Sequence, residues 1–123
     1  MLCAWILFTT ACSAQVYRVD TCERLYFGTA RKEAPPVTDD EWQRFVDEEI
    51  APRFPDGFTV ADAQGQWRTR EGVIQRERTH MLFVIHRNGT GEAELAAIIK
   101  AWKTKFAQEA VLRTREQCSV AFQ

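Results

Sequence analysis

Apolar positions repeat with two different periods along this chain, and each change of period marks an element. Residues 24–29 (RLYFGT) have strand composition and lead into a loop over 30–37 that Pro35 and Pro36 break. Thr38 then caps a helix, with Glu41 three positions on completing a capping box. Trp42, Phe45, Val46 and Ile50 fall on one face of that helix, and Pro52 with the turn-rich segment 53–57 (RFPDG) stops it. A second strand over 58–67, a turn at 69–72 and a long third strand over 73–86 follow. Asn88 to Gly91 breaks the chain again. A second helix from about Glu92 to Gln108 carries Leu95, Ile98, Ile99, Trp102 and Phe106 at the helical period. Its Lys100, Lys103 and Lys105 lie toward the C-terminal end, where the macrodipole favours cations. The last strand covers 111–122.

This β-α-β-β-α-β order predicts an α+β, ferredoxin-like fold: a four-stranded antiparallel sheet, strand order 4-1-3-2, with both helices on one face. The first and fourth strands then run antiparallel side by side. The start of one lies beside the end of the other, which brings Cys22 near Cys118, and a register pairing the two places Arg24 opposite Glu116. The third strand is apolar on both parities, with Met81, Phe83 and Ile85 on one side and Leu82 and Val84 on the other. In the second strand, Phe58 and Val60 oppose Thr59, Ala61 and Ala63. A strand with one wet face should alternate, so the helix-free face expects a cover. A second copy of the chain is the favoured one, giving a homodimer through the open sheet face. The loop 30–37 and an N-terminal arm, residues 15–21, are the alternatives.

The first fourteen residues carry no charge, which sets the compartment. Leu2 to Phe8 is apolar but far short of the roughly 20 residues that cross a bilayer. Thr9 to Ala14 turns small and polar, so 1–14 reads as an export leader. Cleavage after Ala14 starts the mature chain at Gln15. Processing as a lipoprotein puts a lipid on Cys12, although Thr9 stands where an aliphatic residue is usual. A buried N-terminal strand or helix is the plain alternative. On the export reading the protein reaches the periplasm or cell envelope and meets the membrane only through the leader or the lipid. One domain, 22–123, follows the arm. In an oxidising compartment its Cys22 and Cys118 pair. The balance of 16 Lys+Arg against 17 Asp+Glu gives a net charge of −1, which argues against a nucleic-acid partner. No Cys or His spacing suits a metal, and no cofactor is implied.

Candidate chemistry gathers on the hairpin of strands two and three. With Trp67 pairing near Ile74, Glu77 faces Gln64, and Arg76, Arg78 and His80 fall on the other side. A carboxylate flanked by arginines serves as an acid, a base or an anion clamp, or simply as a solvated charge ladder. No nucleophile–base–orienter set is visible, so no catalytic residue is assigned. The ligand-binding candidates are Arg53, Gln66, Trp67, Arg76 and Glu77. Periodicity places Trp42 and Trp102 in the core, whereas Trp67 near a hairpin end is free to line a pocket. His80 and His86 share a strand face but lie about 20 Å apart, too far to bind one metal; His80 reads as a partly buried, hydrogen-bonded histidine. Arg53 and Asp56 flank a chain reversal. Asn88-Gly89-Thr90 matches a glycosylation sequon and reads equally as a turn and helix cap.

Several strings resemble an uncharacterised bacterial exported family, domain of unknown function 3574. They are Arg24-Leu25-Tyr26-Phe27-Gly28, Val37-Thr38 with Glu41-Trp42 and Phe45, and Pro52-Arg53-Phe54-Pro55-Asp56-Gly57 with Thr59-Val60. Gly65-Gln66-Trp67-Arg68 with Arg76-Glu77, and the closing Cys118-Ser119-Val120-Ala121-Phe122, complete the likeness, which spans nearly the whole mature chain. The resemblance implies a small secreted or lipid-anchored envelope protein and no particular reaction. The expected function is a non-catalytic ligand- or partner-binding module. The alternative is a small dimeric α/β-barrel-type enzyme with a pocket built from Glu77, Trp67 and Arg53, with Glu77 as its catalytic candidate.

Overall fold

A computed structural model describes residues 15–122. Its elements are β1 (Arg18–Gly28), α1 (Asp39–Phe45) running into a π-helical turn (Val46–Ile50), β2 (Thr59–Arg68), β3 (Ile74–His86), α2 (Glu92–Phe106) and β4 (Leu112–Val120). The strands form one sheet in the order β2-β3-β1-β4, with every neighbouring pair antiparallel. That is the predicted order read from the other edge, and the fold is ferredoxin-like. The leader and Cys12 expectations concern residues outside the described ones.

Local chemistry starts and stops the helices where the pattern places them. Thr38 Oγ1 accepts the Glu41 N–H at 3.2 Å, and the Glu41 carboxylate accepts the Thr38 N–H at 2.9 Å. The helix widens into its π turn ahead of Pro52, where the Ala51 N–H reaches the Val46 carbonyl at 2.9 Å. Trp42, Phe45, Val46 and Ile50 are all buried, as are Leu95, Ile98, Trp102 and Phe106 of α2. They meet Leu25, Phe27, Leu82 and Val84, which point to the same side of the sheet. Trp102 sits among aromatic rings, its centroid 4.4 Å from Phe106 and 5.0 Å from both Phe27 and Phe45. Burying a side chain of this size stabilises the fold by about 1.5–3 kcal/mol.

β1 begins at Arg18, not at Arg24. Residues 18–21, expected in an N-terminal arm, pair with β4 from Arg18↔Val120 to Thr21↔Gln117. Their polar composition hides the strand, and the β4 backbone beside them supplies its hydrogen bonds. The loop 30–37 does not cross the open face either. Its Val37 joins the helix-side core, and the Val37 N–H bonds to the Thr29 carbonyl at 2.9 Å. Among the described residues, no element covers the second face.

Cys22 and Cys118 form the expected disulfide, Cα–Cα 6.0 Å across 96 residues of sequence. The register differs from expectation by two residues. Cys22 lies opposite Glu116, and Cys118 opposite Asp20. The bridge is diagonal, because same-face neighbours two residues out of register stay within reach on a twisted sheet. Arg24 lies opposite Thr114 and reaches Glu116 along a parallel diagonal, at 2.6 Å. Closing so long a loop is worth about 4–5 kcal/mol in chain-entropy models, an upper figure.

Candidate functional site

The β2–β3 hairpin outruns the rest of the sheet. The last β1–β3 pair is Gly28↔Thr79, so Ile74–Arg78 of β3 pairs with β2 alone. Within this projecting ribbon Gly65 lies opposite Glu77, Gln66 opposite Arg76 and Trp67 opposite Gln75. The expected pairings, Glu77 with Gln64 and Trp67 with Ile74, are therefore wrong by one residue. The physical reason is the turn. Thr69 N–H bonds the Val73 carbonyl at 2.8 Å, and Gly72 adds a left-handed residue at φ 84°, making the loop one residue longer than expected.

A one-residue slip exchanges faces. Gln64 and Gln66 now share the helix-side face with Arg78 and Arg76, and Arg76 Nε donates to Gln66 Oε1 at 2.8 Å. Trp67 and Glu77 lie on the open face with Tyr26. Arg53 is elsewhere again. It bonds the Glu49 carbonyl at 2.6 Å and carboxylate at 2.9 Å, and lines a cavity of about 480 Å³ with Arg18, Asp56 and His86. His86 lies about 30 Å along β3 from Glu77 at strand rise. The five ligand-binding candidates thus separate, and among the described residues Arg53 lines a different cavity from Glu77 and Trp67. What the fold does bring together is a groove of about 440 Å³ whose lining includes Tyr26, Gly28, Gln66, Trp67, Glu77 and Thr79.

Two glycines shape this groove. A Cβ on Gly28 would lie 2.6 Å from Glu77 Oε1, so only glycine lets the carboxylate cross the end of β1. There Glu77 Oε1 accepts the Ala30 N–H at 2.6 Å, which fixes the carboxylate in place. A Cβ on Gly65 would sit 3.3 Å from Thr79 Oγ1, so a side chain there would crowd the floor. Trp67 remains 44% exposed beside it.

The helix side carries two polar clusters of a different kind. His80 is fully buried and stacks on Trp42, centroids 4.4 Å apart and planes 3° from parallel. Its Nδ1 lies 2.7 Å from Asp62 Oδ1, so that nitrogen carries the proton and donates it. Burial pushes the imidazole below its ordinary range, against the pull of Asp62. Nε2 is left as a buried lone pair with no partner among the described residues. A base oriented by a carboxylate is a familiar catalytic pair; here Asp62 is exposed, whereas the His80 ring is fully buried against Trp42.

The second cluster escaped the sequence reading. Glu23 is fully buried, and its carboxylate accepts from Arg113, from Arg115 Nε at 2.9 Å and from His86 Nε2 at 3.2 Å. Burial alone would raise this carboxyl, yet the arginines and His86 outweigh it and hold it at about 2. Arg113 and Arg115 also grip Glu92 at the start of α2 and hold its carboxyl at about 2. The signal was available: Glu23 shares the inward parity of Leu25 and Phe27, and Arg113 and Arg115 lie opposite Leu25 and Glu23. Asn88 of the sequon is engaged too. Its side chain accepts from Thr21 Oγ1 at 2.6 Å and donates to the Val19 carbonyl at 3.4 Å.

The profile of a family described as "Protein of unknown function (DUF3574)" matches residues 22–122. The chain belongs to this family. Among curated proteins, none matches the sequence. In three dimensions this DUF3574 member is similar to a phage SAM lyase solved in complex with S-methyl-5'-thioadenosine, at 18% identity and TM-score 0.57, covering 84% of this chain and 90% of that one. It is similar also to CutA from Synechococcus elongatus PCC7942, at 14% identity and TM-score 0.56, covering 89% and 87%. At these identities the likeness establishes the shared fold.

Proposed function

We propose that this DUF3574 protein is an exported, non-catalytic module of the cell envelope. It binds a small ligand in the groove of Tyr26, Trp67 and Glu77, and it pairs with a second copy through the rest of the open sheet face. The observation that carries this reading is the uncovered face itself. Tyr26, Met81 and Phe83 are only partly shielded there, and Ile85, Trp67 and Leu112 are exposed. The uncharged opening segment and the disulfide support export into an oxidising compartment.

Native mass spectrometry of the protein recovered from the envelope tests both parts at once. The expected result is a dimer whose chains begin at Gln15 or carry a lipid on Cys12. Replacing Met81 and Phe83 by lysine is expected to leave a folded monomer, because both side chains lie on the open face. A monomer from the unsubstituted protein at tens of micromolar overturns the pairing, and an intact Met1 in a cytosolic fraction overturns the export.

A further inference from the structure

We propose that the groove selects an organic monocation, an amine or quaternary ammonium carried on an apolar body, with Glu77 as its counter-charge. This rests on the groove being the ligand site. Charge complementarity is the main argument. Glu77 is the only formally charged residue among those lining the groove. The chain has cations close at hand and directs them elsewhere. Arg76 and Arg78 flank Glu77 in sequence, but strand alternation sends both to the opposite face. There Arg76 is spent on Gln66, and Arg78 on Asp39 and Asp62. Several carboxylates elsewhere have been given cations: Glu23 and Glu92 hold Arg113 and Arg115, Glu116 holds Arg24 and Glu41 holds Arg31. Glu77 has a backbone N–H on one oxygen, and the other has no hydrogen-bond partner among the described residues.

The walls identify which cation fits. Trp67 and Tyr26 line the groove, and aromatic rings of this kind attract a diffuse organic cation through their quadrupoles. A hard metal ion favours several charged oxygen ligands, and the groove's lining holds a single carboxylate beside neutral hydroxyl and amide groups. Gly28 and the Ala30 N–H hold the carboxylate before any ligand arrives, so little ordering remains to be done on binding. The volume, about 440 Å³, suits a small molecule.

The test uses three probes that share a ring and differ in charge: benzyltrimethylammonium, benzyl alcohol and benzoate. Each is titrated into the protein while the Trp67 indole N–H and the Gly28 and Gly65 amides are followed by NMR. The cation is expected to bind about tenfold more tightly than the alcohol, with benzoate weakest. Glu77→Gln keeps an oxygen for the Ala30 N–H and should lower the affinity for the cation to that of the alcohol, leaving the alcohol unchanged. Independently of any variant, raising the salt should weaken the cation alone. Equal affinities, a preference for benzoate, or no response to Glu77→Gln and to salt overturns the monocation while the groove stands as a ligand site. If no probe moves the groove signals, the ligand-site reading fails and the monocation with it.

Discussion

The two faces of this sheet use the same strands and treat polar groups in opposite ways. On the helix side, Leu25, Phe27, Leu82 and Val84 lie under a layer of aromatic rings. Charged residues admitted there are given partners, Glu23 having two arginines and a histidine, and His80 is paired with Asp62 through one of its two ring nitrogens. On the open side the aromatic and apolar residues stay partly in water, and Glu77 meets a single backbone N–H. A buried charge without partners costs several kcal/mol, so the closed face tolerates none. On the open face Arg24 and Glu116 are paired with each other, but the wetter surroundings let Glu77 keep one carboxylate oxygen without a partner among the described residues. The difference separates residues that hold the fold from residues that face a partner.

Paired substitutions at one residue type probe this contrast most strongly. Trp102→Ala is expected to remove about 4 kcal/mol in urea denaturation, and Trp67→Ala less than about 1 kcal/mol. Similar losses at the two positions would dissolve the distinction. Next comes the buried carboxylate. Arg113→Leu leaves Glu23 with Arg115 and His86 alone and should cost about 3 kcal/mol. Because the Glu23 pKa is lowered, its contribution is complete above the unfolded value of 4.5 and is lost as pH falls through about 2. Glu23→Gln should flatten that limb of an acid titration; an unchanged limb would remove Glu23 from the account. The smallest effect belongs to His80. Its folded pKa lies below the unfolded value of 6.5, so stability is complete above 6.5 and declines as pH falls further and the unfolded chain takes up the proton first. His80→Gln should shrink the difference in unfolding midpoint between pH 8 and pH 5.

Element order and sheet order were legible because they depend on periodicity and on the handedness of crossovers, which survive small errors of placement. Register was not, because it depends on the length of one turn. Gly72 adds a residue between Thr69 and Val73, and that single residue moves Gln66 and Arg76 away from Trp67 and Glu77. Three of the five candidate binding residues, Gln66, Trp67 and Glu77, therefore lie in the groove's lining, while Arg76 and Arg53 belong elsewhere. The start of β1 was hidden for a related reason. Arg18 to Thr21 carries little apolar signal, so the strand reads as beginning at Arg24 and Glu23 falls just outside it. Extending that strand by one residue would have turned Glu23 inward, opposite Arg115.

One consequence follows from how β1 and β4 lie together. Arg18, where β1 enters, pairs with Val120, where β4 leaves. Both strands therefore open onto a single rim, while Gly28 and the Glu77 carboxylate stand at the far end of β1, roughly 33 Å away at strand rise. A tether fastened upstream of Arg18 would hold the molecule by its foot and turn the candidate groove outward, away from the anchoring surface.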